Sequence, residues 1–209
     1  MIEAVKAWRA ENAFDGLKVR LASGNAGVQA ATNEVLEATE LPMMLYVYAT
    51  IVALVFLTYR DWRAVLACCL PLTVATFVGY WFMKALSIGL TVATLPVMVL
   101  AVGIGVDYAF YIYNRLQMYL ADGETIVPAF RRALTETGIA TVFTALTLSV
   151  GVATWVFSPL KFQADMGLLL AFMFMLNMVM AITLLPALAV VIDLLVPRRG
   201  PVHRPFGAH

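Results

Sequence analysis

The stretch Gly103-Ile104-Gly105-Val106-Asp107-Tyr108 sets a carboxylate and a phenol inside an apolar run over residues 88–113. Such a run reads as a membrane-spanning helix. An Asp near the centre of such a helix costs roughly 2.5–3.5 kcal/mol on insertion scales. Its side chain is too short to reach water as Lys or Arg can. Asp107 therefore has to face a polar partner, a wet cavity, or both. A carboxyl group in a poorly solvating environment also holds its proton more readily than one in water, which makes Asp107 a candidate proton carrier. The competing reading is a packing role, in which it bonds a neighbouring Ser, Thr or main-chain group.

The residues around Asp107 suit a close helix contact. Gly103, Asp107 and Tyr111 recur every four residues and share one face. Gly103 removes a side chain one turn from the carboxylate, so a second helix can approach. Gly105 gives backbone room on another face. Tyr108 carries a hydroxyl able to donate to a carboxylate of a facing helix. Asp107 lies eight residues before Arg115, or about 12 Å along a helix. That is inside the hydrocarbon rather than at its edge. In the run over residues 139–157, Thr141, Thr144 and Thr147 recur at intervals of three, with Ser149 close by. These hydroxyls either line a hydrated path beside Asp107 or bond the carbonyls of their own helix.

Composition sets the frame. The chain has 209 residues, of which 62% are hydrophobic and 13% charged, and its mean hydropathy is +0.86. Soluble domains are about 45–50% apolar and about 25% charged, so this reads as a membrane protein, and its helix-length apolar runs make the expected fold all-α. Five apolar runs cover residues 41–59, 64–82, 88–113, 139–157 and 166–196, with Pro71, Pro96 and Pro186 inside three of them. Together they form a transmembrane domain over residues 41–196. Prolines are tolerated in such helices when neighbours satisfy the freed carbonyl. Residues 116–137 mix apolar and basic side chains and read as a cytoplasmic amphipathic segment suited to an anionic leaflet. Asp193, near Pro197 and Arg198, reads as an interfacial charge with cationic company, and Lys161 and Asp165 as belonging to an outer loop.

Residues 1–40 differ from all that follows. They carry ten charged side chains, including Glu3, Lys6, Arg9 and Glu40. Residues 16–22 alternate like a half-buried strand, residues 23–27 read as a turn and residues 28–40 as a helix. This α+β piece is too short for a core of its own and reads as the end of a larger soluble domain. It lacks the basic-then-apolar start of a signal peptide.

Lys and Arg fix the expected orientation. Arg60, Arg63, Arg115, Arg131, Arg132, Arg198, Arg199 and Arg204 fall on one side; the opposite short loops hold Lys84 and Lys161. The tail over residues 197–209 is then cytoplasmic and residues 1–40 extracytoplasmic. An odd number of spans with an external start points to a missing preceding helix, hence to the C-terminal part of a longer or split protein.

Other chemistries find no support. The basic residues form no stripe for nucleic acid. Cys68 and Cys69 are adjacent within an apolar run, where neighbouring helical residues point about 100° apart, so core packing is the reading. His203 and His209 have no ligand-spaced companions, and no metal or other cofactor is assigned. No Walker loop, His-Glu-x-x-His or Gly-x-Ser-x-Gly occurs, and no enzyme activity is expected.

Three stretches together carry a family likeness. They are Gly103 to Tyr108; Thr141 to Ser149 continuing through Ser158-Pro159-Leu160-Lys161-Phe162 to Gly167; and Leu184-Leu185-Pro186-Ala187-Leu188. In order and spacing the chain resembles exporters of the resistance–nodulation–division (RND) superfamily, in the branch of the mycobacterial large membrane proteins (MMPL). The resemblance implies helices two to six of the second of two six-helix repeats, preceded by the end of an extracytoplasmic porter domain. It implies that Asp107 is a proton-relay carboxylate with Tyr108 beside it, facing the Asp-Tyr helix of an N-terminal half that this chain lacks. Gly103, Gly105, Thr141, Thr144 and Thr147 would support the packing or a hydrated path. The implied function is proton-driven export of lipids or other hydrophobic or amphipathic molecules across a bacterial inner membrane. Membrane lipids, a hydrophobic substrate and further copies of the chain are the expected partners. Sterol-sensing domains share the helical plan, so a non-transporting lipid sensor or scaffold is the alternative.

Overall fold

The computed structural model describes residues 25–89 and 94–196. Five long helices follow one another: α1 (Asn25–Tyr59), α2 (Trp62–Ala85), α3 (Thr94–Ala121), α4 (Ile126–Ala153) and α5 (Lys161–Leu195), with a 3-10 turn at Thr154–Phe157 before α5. Each contains an apolar stretch long enough to cross a bilayer. No strand occurs among the described residues. The strand expected over residues 16–22 lies outside them.

The helix ends are set by local chemistry. Arg60 has φ of 49°, and its N–H reaches the Phe56 carbonyl at 2.8 Å, which closes α1 with a left-handed residue. Asp61 then caps α2, accepting from the Arg63 N–H at 3.0 Å. At the end of α2, Ser87 has φ of 53°; its N–H bonds the Lys84 carbonyl, and the Ile88 N–H bonds that of Met83. Gly123, at φ 90°, closes α3 in the same way, its N–H going to Leu120 and that of Glu124 to Tyr119. Both are paired C-terminal caps that satisfy otherwise orphaned carbonyls.

These stops move several expected boundaries. The helix expected over residues 28–40 is continuous with the first span in α1, running through Pro42, and residues 25–27 belong to it rather than to a turn. Ile88 and Gly89 are outside any helix, so the third span does not begin at residue 88. Residues 116–137 form no separate surface helix. Residues 116–121 complete α3, and α4 begins at Ile126. The reason is packing: Leu116, Gln117 and Leu120 on α3 and Ala129, Phe130 and Ala133 on α4 are all buried. Polar contacts close the same end. Arg115 pairs with Glu136 at 3.2 Å, Tyr119 donates to Glu136, and Arg132 pairs with Glu124 while lying over the Tyr119 ring. Lys161 and Asp165 sit in the first turns of α5, not in a loop.

α5 is the central post and packs against α2, α3 and α4. Two apolar clusters stack along it. Nearer the basic end, Val55, Tyr59, Cys68, Ile112, Leu116, Phe130 and Leu185 pack together. Toward the other end, Met83, Met98, Leu169, Met173 and Phe174 do so. There the rings of Phe82 and Phe172 stack at 3.8 Å. α1 is peripheral: 11% of its apolar window is buried, against 50% for α3. Its polar tie is a hydrogen bond between the Tyr48 and Thr76 hydroxyls at 2.9 Å. At the basic end Arg63 of α2 pairs with Asp193 of α5 at 3.7 Å, which gives Asp193 a cationic neighbour; Arg198 lies outside the described residues.

Gly167 opens α5 against the 3-10 turn. A Cβ there would lie 2.6 Å from the Trp155 Cβ and 2.7 Å from the Val152 carbonyl oxygen. Backbone yields less than side chain, so Gly167→Val should destabilise the protein by about 1–3 kcal/mol, as overpacking does. Gly151→Ala, with nothing within 4 Å, should not. Thermal unfolding in detergent checks this; equal midpoints for the two variants would contradict it.

Candidate functional site

The sequence of α3 divides it into two faces. Val97, Met98, Ala101, Val102, Gly105, Tyr108, Ala109, Ile112, Tyr113 and Leu116 recur at helical spacing and are buried in the bundle. Leu100, Gly103, Asp107, Tyr111 and Asn114 form the opposite stripe and are exposed. Asp107 stands at the middle of that stripe. Among the described residues no hydrogen bond or ion pair reaches its carboxylate. The shared face of Gly103, Asp107 and Tyr111 expected from their spacing is present, with Tyr111 63% exposed. A Cβ on Gly103 would meet nothing within 4 Å. The room that glycine leaves is therefore on the open side of the helix.

Tyr108 points the other way. It is 1% exposed, and its hydroxyl has no partner among the described residues. Within this chain it therefore does not present its hydroxyl on the stripe where a facing carboxylate would stand. One residue on from Asp107 is a turn of about 100° round a helix, which carries the ring into the core. Below it, Tyr59 of α1 packs edge-on to Tyr113 at 5.0 Å and stacks on Phe110 at 5.6 Å.

The fourth-helix threonines split. Thr141 is buried, whereas Thr144 and Thr147 are exposed. All three donate to the carbonyl four residues back in α4, at 2.9, 2.9 and 2.8 Å. This is the self-satisfied arrangement. Their oxygen lone pairs stay available as acceptors. Ser149 instead crosses to α5, donating to the Ala171 carbonyl at 3.2 Å. No group of three His, Cys, Asp or Glu able to hold a metal ion occurs among the described residues, and His203 and His209 lie outside them. Cys68 is buried and Cys69 half-buried, both as free thiols.

Asn177 of α5 is the residue that motif reading passes over. It is buried, and its side-chain amide donates to the Ala101 carbonyl of α3 at 2.8 Å. It belongs to no motif; its one signal is a lone amide in the apolar run of α5. Gly105, expected to give backbone room, does so here: a Cβ there would lie 2.7 Å from both the Asn177 Cγ and the Leu72 Cδ2. The two glycines of the motif thus serve opposite faces. Gly105→Ala should cost about 1–3 kcal/mol through overpacking. Gly103→Ala should be neutral or stabilising by up to about 1 kcal/mol, because alanine favours the helix. Unfolding midpoints of the two variants check the assignment, and a reversed order would refute it.

The chain matches the MMPL family over residues 1–204. It is 34% identical over 122 residues to a membrane protein of Methanocaldococcus jannaschii, which covers 58% of this chain and 31% of that protein. It is 34% identical over 99 residues to the sulfolipid-1 exporter MmpL8 of Mycobacterium tuberculosis, covering 47% of this chain and 9% of the exporter. A membrane protein of Streptomyces coelicolor is 34% identical over 89 residues, which cover 13% of its length. The matched regions span about a third or less of these relatives. Five bilayer-length helices and the extent of the family match together make this chain a multi-pass membrane protein that belongs to the MMPL family, within the RND superfamily.

Proposed function

We propose that the chain is the C-terminal membrane portion of a proton-driven exporter of lipids or other hydrophobic or amphipathic molecules. The observation that carries this reading is Asp107, a carboxylate without a partner among the described residues, on the open stripe of an otherwise buried membrane helix. Facing lipid, that group would cost roughly 2.5–3.5 kcal/mol. A second helical half packed on the stripe, bearing its own Asp-Tyr pair, would remove the cost and leave a site where a proton can be exchanged. MMPL membership supports the reading, as does the similarity to the sulfolipid-1 exporter MmpL8 of Mycobacterium tuberculosis.

In this mechanism Asp107 takes a proton from the extracytoplasmic side and releases it inside. Each proton crossing 100 mV supplies about 2.3 kcal/mol, which biases a two-state helix arrangement roughly fifty-fold. Gly103 gives the partner helix its approach. Thr144 and Thr147, exposed on α4, offer acceptor oxygens to water along the route, and buried Thr141 keeps the helix packed. Tyr108 holds its hydroxyl on the inner side of the site, within reach of a core that rearranges. Residues 1–40 belong to a porter domain, and the basic ends of the helices and the tail over residues 197–209 face the cytoplasm of an inner membrane. The chain catalyses no covalent step and needs no cofactor.

Asp107→Asn in the complete protein keeps size and polarity but cannot carry the proton. Proton-dependent efflux or lipid transfer in proteoliposomes should fall by roughly a hundredfold, the lower end of what a positioned proton-transfer group contributes. Unchanged activity would remove Asp107 from the mechanism and favour the lipid-sensing alternative.

A further inference from the structure

Asn177 sits at the crossing of three helices. It is 3% exposed, and its Nδ2 donates across to the Ala101 carbonyl of α3 at 2.8 Å. In a regular helix that carbonyl already accepts from the Gly105 N–H, and its second lone pair is free to take the amide. At Gly105 the fit tightens. A Cβ there would stand 2.7 Å from the Asn177 Cγ, 2.8 Å from its Nδ2 and 2.7 Å from the Leu72 Cδ2 of α2. The back of α3 is thus seated in a notch made by one side chain from α5 and one from α2.

Gly105 and Asp107 are two residues apart, or about 200° round the helix. The notch therefore grips α3 on the side opposite Asp107. Apolar packing alone resists separation of helices better than it resists rotation, because dispersion has little directional preference. A hydrogen bond to one main-chain carbonyl is directional. We propose that Asn177 is a positioning residue that fixes the rotation of α3 about its own axis and so sets the direction in which Asp107 is presented. This rests on the proton-relay reading of Asp107 given above. A 20° rotation of α3 would carry a side-chain group by about 2 Å, and misplacements near 1 Å can cost a hundredfold in rate. Any rotation of α3 against α5 that re-aims Asp107 during transport also has to strain or break this bond.

The test uses the complete transporter in proteoliposomes, with Asp107→Asn as the reference. Asn177→Leu keeps the branching at Cγ, with a somewhat larger side chain, and removes the donor. It should leave the folded yield and the thermal midpoint close to the parent, lower the maximal proton-dependent rate by roughly tenfold or more, and shift its pH profile. Asn177→Asp is nearly isosteric and regains a donor when its carboxyl is protonated, so it should restore transport toward the acidic end of the profile. Asn177→Leu with the parental rate and pH profile would overturn the proposal. So would a loss of rate that tracks a loss of folded protein with the pH profile unmoved and no rescue by Asn177→Asp, since that pattern belongs to packing alone. If Asp107→Asn transports normally, the relay reading fails first and this proposal with it. If Asp107→Asn is inactive while Asn177→Leu behaves as the parent, the positioning role alone fails.

Discussion

A carboxyl group in the middle of a membrane helix must be answered by something polar, and the arrangement of α3 follows from that constraint. Hydrocarbon solvates neither the charge nor the hydrogen-bonding groups of Asp107. The chain could have hidden the group in its own core against a cation. Instead it buries the rest of α3 and leaves the acid on the one stripe it keeps open. Gly103 lies on the same stripe, where it gains nothing from the chain's own packing. Both features make sense for a surface that a second polar-faced helix covers.

Holding an acid outward demands that the other side of its helix be held firmly. α3 has half of its apolar window buried, more than any of the other four spans. Its inner face meets α5 and α2 closely enough that Gly105 has no space for a methyl group. Small residues let membrane helices approach, and directional polar bonds then fix their register. The Asn177 bond to Ala101 and the Ser149 bond to Ala171 play that part here. The basic end is closed differently, by Arg63 with Asp193 and by the Arg115, Tyr119, Arg132 and Glu136 contacts. There the side chains can reach interfacial water, so charges are tolerated.

Much of this was legible in the residues. Runs of about twenty apolar side chains leave a helix as the one form that satisfies its own main chain in lipid, so five spans could be counted directly. The four-residue spacing of Gly103, Asp107 and Tyr111 specified a common face. The helix ends were less legible. Residues 116–137 read as a surface segment because they alternate apolar with charged side chains, yet that same pattern suits two helices packed on each other with their charges outward. Only the contact between α3 and α4 distinguishes the two. Tyr108 shows a related difficulty: being next to Asp107 in sequence says that it lies on another face, not which one the core takes.

By itself the sequence determined the membrane class, the number of spans and the presence of one costly acid, because length, hydropathy and the 3.6-residue period are local properties. The tertiary structure decided which side of α3 is open, which glycine gives way to a neighbour, and that Asn177 meets Ala101 across 76 residues of chain. Those facts depend on how helices distant in sequence rotate against one another. No local pattern encodes that rotation, because it is fixed by the summed fit of side chains from several helices at once.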